Sequence, residues 1–105
     1  MKTITATELN TALQNKQNYT LLDVRQPEEV AICQIENSLN IPMGDIPAKK
    51  DTLNPDDAIV VICHHGMRSA QIAMYLDQNG FDNITNLTGG IDAWAIEVDN
   101  SMQRY

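Results

Sequence analysis

Cys63 sits at the junction of two segments that together can turn a thiol into a nucleophile. Ahead of it, Ala58-Ile59-Val60-Val61-Ile62 is an unbroken apolar run, the pattern of a strand buried on both faces in a parallel sheet. Behind it, His64-His65-Gly66-Met67-Arg68-Ser69 leads into apolar residues at helical spacing. The cysteine is therefore expected at the carboxyl end of a central strand, just before a helix N-terminus. Ligands bind at that end of open α/β sheets. A helix N-terminus adds unpaired N–H groups and the positive end of a dipole, which favour a thiolate or a bound anion. The predicted chemistry is nucleophilic attack by Cys63, with the amides of His64 to Ser69 curled around the sulfur. Gly66 supplies the freedom that such a curl needs.

The neighbouring side chains divide into shapers and candidates. His64 and His65 beside Cys63 suggest a metal cluster, but three consecutive residues do not converge easily on one ion, and zinc-ligand spacing is absent. No metal is predicted; the histidines are read as shaping the mouth of the loop. Arg68 either attracts an anionic substrate or clamps the loop. Asp23 and Arg25 end another apolar run, Tyr19 to Val24, so they should flank the same site. Asp23 is read as a buried anchor bonded to loop amides or to Arg68. Arg25 is read as a substrate contact or a surface ion pair, with the ion pair favoured. Cys33 reads as a small apolar filler rather than a resolving thiol, and Trp94 as packing.

The elements that position these residues alternate between strand and helix. Ile4 begins a short edge strand, and Thr7 is the expected N-cap of a helix over residues 8–15. Pro27 starts a second helix with Glu28 and Glu29 in its first turn. Leu39-Asn40-Ile41-Pro42 reads as a short strand stopped by proline, and residues 44–53 as one or two short helices. Asn54-Pro55-Asp56-Asp57 is a turn before the central strand. A helix over residues 69–79 ends at Gly80, Ile84 to Leu87 is a strand, and Gly89-Gly90 turns into a last helix. Residues 99–105 read as a polar, frayed tail. This order predicts an α/β fold: a small parallel sheet of about four to five strands with helices on both faces.

The length of 105 residues implies one domain spanning the chain, with its core over about residues 4–96. A net charge of -7 argues against general nucleic-acid binding. The N-terminus lacks the apolar core of a signal peptide, and no run approaches the roughly 20 apolar residues that span a bilayer. Two cysteines do not make a disulfide framework, so the expected setting is reduced and cytoplasmic.

Four stretches together resemble the rhodanese-like family of sulfurtransferases in its single-domain form. They are Leu21-Leu22-Asp23-Val24-Arg25 with Pro27-Glu28-Glu29, then Leu39-Asn40-Ile41-Pro42, then Cys63 to Ser69, and finally Asn86-Leu87-Thr88-Gly89-Gly90-Ile91-Asp92-Ala93-Trp94. One departure stands out: Cys33-Gln34 occupies the place of a common glycine-histidine pair, which predicts a locally different turn. The resemblance implies that the Cys63 thiolate attacks the outer sulfur of a donor such as thiosulfate. Sulfite leaves, a persulfide remains, and cyanide or a thiol removes the sulfur; no cofactor beyond the covalent persulfide is implied. His64, His65, Gly66, Met67, Arg68 and Ser69 would then cradle the donor, with Met67 touching it. An alternative is a carrier that hands sulfur to a cofactor-building or tRNA-thiolating protein. Cysteine-dependent phosphatases and arsenate reductases use a wider cradle. Only four residues separate Cys63 from Arg68, one fewer than the phosphatase loop has. An inactive interaction domain often loses the cysteine that this chain keeps.

Overall fold

The computed structural model describes all of residues 1–105. In chain order its elements are β1 (Lys2–Ile4), α1 (Ala6–Gln14), β2 (Thr20–Asp23), α2 (Pro27–Ile32), β3 (Leu39–Asn40), α3 (Ile46–Lys49), β4 (Ile59–Ile62), α4 (Met67–Gln78), β5 (Ile84–Leu87) and α5 (Gly90–Glu97). Short 3-10 turns flank α3. The five strands form one parallel sheet in the order β1-β5-β4-β2-β3. β4 is buried at every position, as its β-branched run predicts.

Successive side chains of a strand point to opposite faces, and the core divides accordingly. Leu22, Val24, Ile59, Val61 and Cys63 pack with Ile72, Ala73 and Leu76 of α4 and with Ile46 of α3. Leu21, Val60, Ile62 and Leu87 pack on the other face with Ala6 and Leu9 of α1 and Ile91 and Trp94 of α5. The chain moves from β2 outward to β3 and then returns to β4 on the other side of β2. That reversal opens a crevice between the carboxyl ends of β2 and β4. Asp23 pairs in register with Ile62, so Asp23 and Cys63 come out at the same end of the sheet.

Two local expectations are corrected, the cap of α1 and the tail, and the backbone at Cys33 is resolved between them. Helix α1 is capped by Thr5, not Thr7: the Thr5 hydroxyl accepts from Glu8 N at 3.1 Å, and Glu8 Oε1 accepts from Thr5 N at 2.9 Å. Glu8 lies three residues beyond Thr5, the spacing a reciprocal capping box requires, and Thr7 has no such partner. At Cys33 the backbone is extended, with φ -161° and ψ 152°, so the place of the usual glycine needs no left-handed residue. The left-handed position of this connection is Asn37, at φ 66°. Finally, the tail does not fray. Val98 and Met102 pack against the α1–α5 layer, and Tyr105 reaches the Cys63 loop.

Candidate active site

Cys63 follows directly on β4 and is 1% exposed. Gly66 N donates to its Sγ at 3.0 Å, and Ser69 Oγ lies 3.2 Å from the same sulfur. The expected ring of six amides is thus one amide and one hydroxyl at the thiol itself. The reason is that α4 starts already at Met67. The N–H groups of its first turn have no partner within the helix and remain open to an added atom. Ser69 is buried and is held by Asn86 of β5: Ser69 Oγ bonds Asn86 Oδ1, while Asn86 Nδ2 donates to Gly66 O at 3.2 Å. Asn86 therefore ties the loop to the helix that carries the hydroxyl.

The carbonyl side of the loop is held by α5. Ile91 N donates to Cys63 O at 2.8 Å, and Asp92 N donates to His64 O at 3.1 Å. Gly90 makes this approach possible, because a Cβ there would stand 2.4 Å from His64 O and 2.5 Å from Cys63 O. The carbonyls of Cys63 and His64 are thus turned toward α5, while Gly66 N faces the sulfur. Gly66 itself has φ 104°, which a side chain would strain.

Asp23 and Arg25 meet each other rather than the loop. Arg25 Nε and Nη2 donate to the Asp23 carboxylate at 2.9 and 2.7 Å, and Arg25 N donates to it at 3.1 Å. Neither loop amides nor Arg68 bond Asp23, which corrects that expectation. Arg25 is not at the surface either: its side chain is 0% exposed, and it also donates to Cys33 O at 2.7 Å. Burial opposes its charge, but the bonds to Asp23 and Tyr105 outweigh it and raise the guanidinium pKa. Asn40 steadies this corner by donating to Asp23 O and Arg25 O, both at 2.9 Å.

Arg68, open in the sequence between two roles, is clamped. Its Nη1 and Nη2 donate to the two oxygens of Glu29, each at 2.8 Å. That pairing holds the Glu29 carboxyl down at about 2. At the mouth, His64 is stacked between His65 and Tyr105, at ring distances of 4.0 and 3.9 Å. Burial first, and His65 second, push the His64 pKa below the usual imidazole value. The Tyr105 hydroxyl accepts from Arg25 Nη1 and donates to Glu29 Oε1, both at 3.0 Å. His64, His65 and Asp92 bring ligand-type atoms within 4.8 Å of one another. The two rings are nearly parallel, with planes 25° apart, so their in-plane lone pairs do not converge. Asp92 is held by Arg104 through two bonds. Met67 stands 78% exposed at the start of α4.

A buried strand-end thiol, a left-handed glycine donating to it and a helix N-terminus behind it come together at Cys63. Residues 5–97 match the rhodanese-like domain. The chain belongs to that family. This rhodanese-like domain is 42% identical over 98 residues to YtwF of Bacillus subtilis, a candidate sulfurtransferase, covering 93% of this chain and 94% of that one. It is 37% identical over 92 residues to a sulfurtransferase of Allochromatium vinosum, covering 88% of this chain and 86% of the relative. The crystal structure of a rhodanese-related protein from Thermoplasma volcanium superposes with a TM-score of 0.86 at 39% identity, over 93% of this chain and 94% of that one. The relatives of this domain thus include sulfurtransferases.

The structure gathers Cys63, Gly66 and Ser69 at the sulfur and sets Arg68, His64 and His65 around the mouth. It places Asp23 and Arg25 behind them as a buried brace. Asn86, Gly90 and Glu29 entered the sequence reading only as members of the family-like stretches, with no role at the site, and Tyr105 only as part of the tail. Asn86 carried a signal, being a polar residue inside the buried strand β5. Glu29 was indistinguishable from any carboxylate in a helix first turn, and Tyr105 offered nothing that tied it to the loop.

Proposed function

We propose that this rhodanese-like domain moves sulfane sulfur through a persulfide on Cys63. The observation that carries the reading is the polar seat of Sγ, with Gly66 N donating at 3.0 Å and the Ser69 hydroxyl in contact at 3.2 Å. The Cys63 thiolate attacks the outer sulfur of thiosulfate, the S–S bond to the sulfonate breaks, and sulfite departs with its electron pair. The added sulfur on Cys63 keeps one negative charge, which the free first-turn amides of α4 stabilise. Cyanide or a thiolate then attacks that outer sulfur and regenerates the Cys63 thiolate, a two-step displacement. The short loop between Cys63 and Arg68 and the clamping of Arg68 by Glu29 favour this compact sulfur chemistry over phosphoryl transfer.

A single-turnover experiment tests the reading. Protein treated with excess thiosulfate, desalted and mixed with cyanide should release about one equivalent of thiocyanate per chain, and Cys63→Ser should release none. Equal thiocyanate from both proteins contradicts the proposal. A carrier role, with a protein acceptor, is the second reading. The chain's pocket of about 680 Å³, at Leu13, Tyr19, Trp94 and Met102, includes none of the loop residues and leaves the loop mouth as a separate surface for an acceptor. Slow discharge to cyanide with fast discharge to a partner protein would select that reading.

A further inference from the structure

Every guanidinium around the Cys63 loop is already paired. Arg25 is bonded to Asp23, Arg68 to Glu29 and Arg104 to Asp92. Three cations meet three carboxylates, so these pairs contribute no net positive charge, and the chain as a whole carries -7. Arg68 is the cation carried on the loop's own helix, and both of its terminal nitrogens are occupied by Glu29. Glu29 is itself fixed from four directions: the two bonds from Arg68, the Tyr105 hydroxyl at 3.0 Å and Gln26 N at 2.9 Å. A doubly charged donor meets no free guanidinium here. It must either detach Arg68 from a bidentate carboxylate or rely on the α4 amides alone, on a chain of net charge -7.

We propose that Glu29 is a specificity-determining residue that filters sulfur donors by charge. It favours a sulfane sulfur on an organic group of low negative charge, such as a thiosulfonate or an organic persulfide, over the thiosulfate dianion. This rests on the persulfide reading of Cys63 and narrows its donor. The organic group has an apolar neighbour in Met67, exposed beside Arg68 at the start of α4. With an alkyl thiosulfonate the step balances as it does with thiosulfate. The Cys63 thiolate bonds the outer sulfur, the S–S bond breaks, and a sulfinate leaves with the electron pair and one negative charge. With an organic persulfide the leaving group is the thiolate.

The test compares two donors that differ by one charge and react in the same way. Rate constants for sulfuration of Cys63 are measured with thiosulfate and with methanethiosulfonate, and each is divided by the rate of the same donor with a free small thiol. Wild type should favour methanethiosulfonate by about fivefold or more after that correction. Glu29→Gln, which keeps a side chain able to accept from Gln26 N, should accelerate thiosulfate about tenfold and methanethiosulfonate about threefold. The donor ratio therefore shifts about threefold toward the dianion. A corrected wild-type preference for thiosulfate overturns the filter, whatever becomes of the variant. So does a Glu29→Gln ratio that stays where wild type has it. Failure of both donors to sulfurate Cys63 is a different result: it removes the persulfide reading, and the filter with it.

Discussion

Arg68 and Glu29, separated by 39 positions in the chain, face each other fork to fork with two bonds of 2.8 Å. This pair joins the first turn of α4 to the first turn of α2, and so ties the nucleophile's helix to the corner that follows β2. Its pH behaviour follows from the Glu29 carboxyl, which lies at about 2 in the fold against an ordinary 4.5. A depressed carboxyl contributes stability that is complete above about 4.5 and is lost as the pH falls through about 2. Glu29→Gln should therefore melt below wild type at pH 7, by about 1 kcal/mol given the partial exposure of the pair. The difference should shrink between pH 4.5 and 2. Thermal melts of both proteins across that range check this, and a constant difference would contradict it.

The link from Asn86 through Ser69 to Cys63 predicts a graded loss of rate. Ser69→Ala removes the hydroxyl 3.2 Å from Sγ and should slow sulfuration of Cys63 about tenfold, since a bond to a charged group is worth about 1.5 kcal/mol or more. Asn86→Ala should slow it by a smaller factor, because Ser69 stays but loses its orientation. It should also cost about 1–2 kcal/mol of stability, because Gly66 O is left without the Asn86 amide. Single-turnover rates and denaturant melts separate the two effects. Unchanged rates in both variants would show that the chain of bonds is structural only.

Two glycines with positive φ make a controlled comparison. Gly90, at φ 61°, has two loop carbonyls within 2.5 Å of where a Cβ would stand, whereas Gly80, at φ 90°, has nothing within 4 Å. Gly80→Ala should cost only the backbone strain, about 1 kcal/mol. Gly90→Ala should cost about 3 kcal/mol or more, and it should displace the Cys63–His64 peptide from α5. Denaturant melts measure both. Equal destabilisation would mean that the loop does not lean on Gly90.

Tyr105 covers the mouth. Its ring lies flat on His64 at 3.9 Å, with planes 9° apart, and its hydroxyl spans Arg25 and Glu29. Tyr105→Ala should speed alkylation of Cys63 by iodoacetamide several-fold, on the order of a 1 kcal/mol cover. Tyr105→Phe keeps the stack, loses the hydroxyl bonds and should fall between. An alkylation rate that is the same in all three proteins would show that the ring does not limit access to the sulfur.

The sheet, the central strand and the thiol at its end were legible because each is written in short-range pattern. Ile59 to Ile62 are apolar without interruption, and the turn at Asn54–Asp57 and the loop glycine Gly66 bracket them. The pairings around the site were not legible, because they are decided by which strand ends become neighbours. Asp23 looked available to the loop until Arg25, two residues on, folded back over it. Arg68 had two readings in the sequence, and the partner that settles its position, Glu29, lies on another helix. The tail was misread because residues 99–105 are polar in composition. Arg104 bonds Asp92, and Tyr105 closes over His64, through contacts that no local periodicity announces.

The central claim, that Cys63 carries the sulfur, is tested most directly by intact-protein mass spectrometry after treatment with a sulfane donor and removal of the excess. Wild type should gain about 32 Da, one sulfur, lost again on addition of cyanide or a thiol and mapped to the Cys63 peptide rather than the Cys33 peptide. Cys63→Ser should gain nothing. An unmodified wild-type mass with the Cys63 thiol free, or an adduct that persists in Cys63→Ser, would contradict the account.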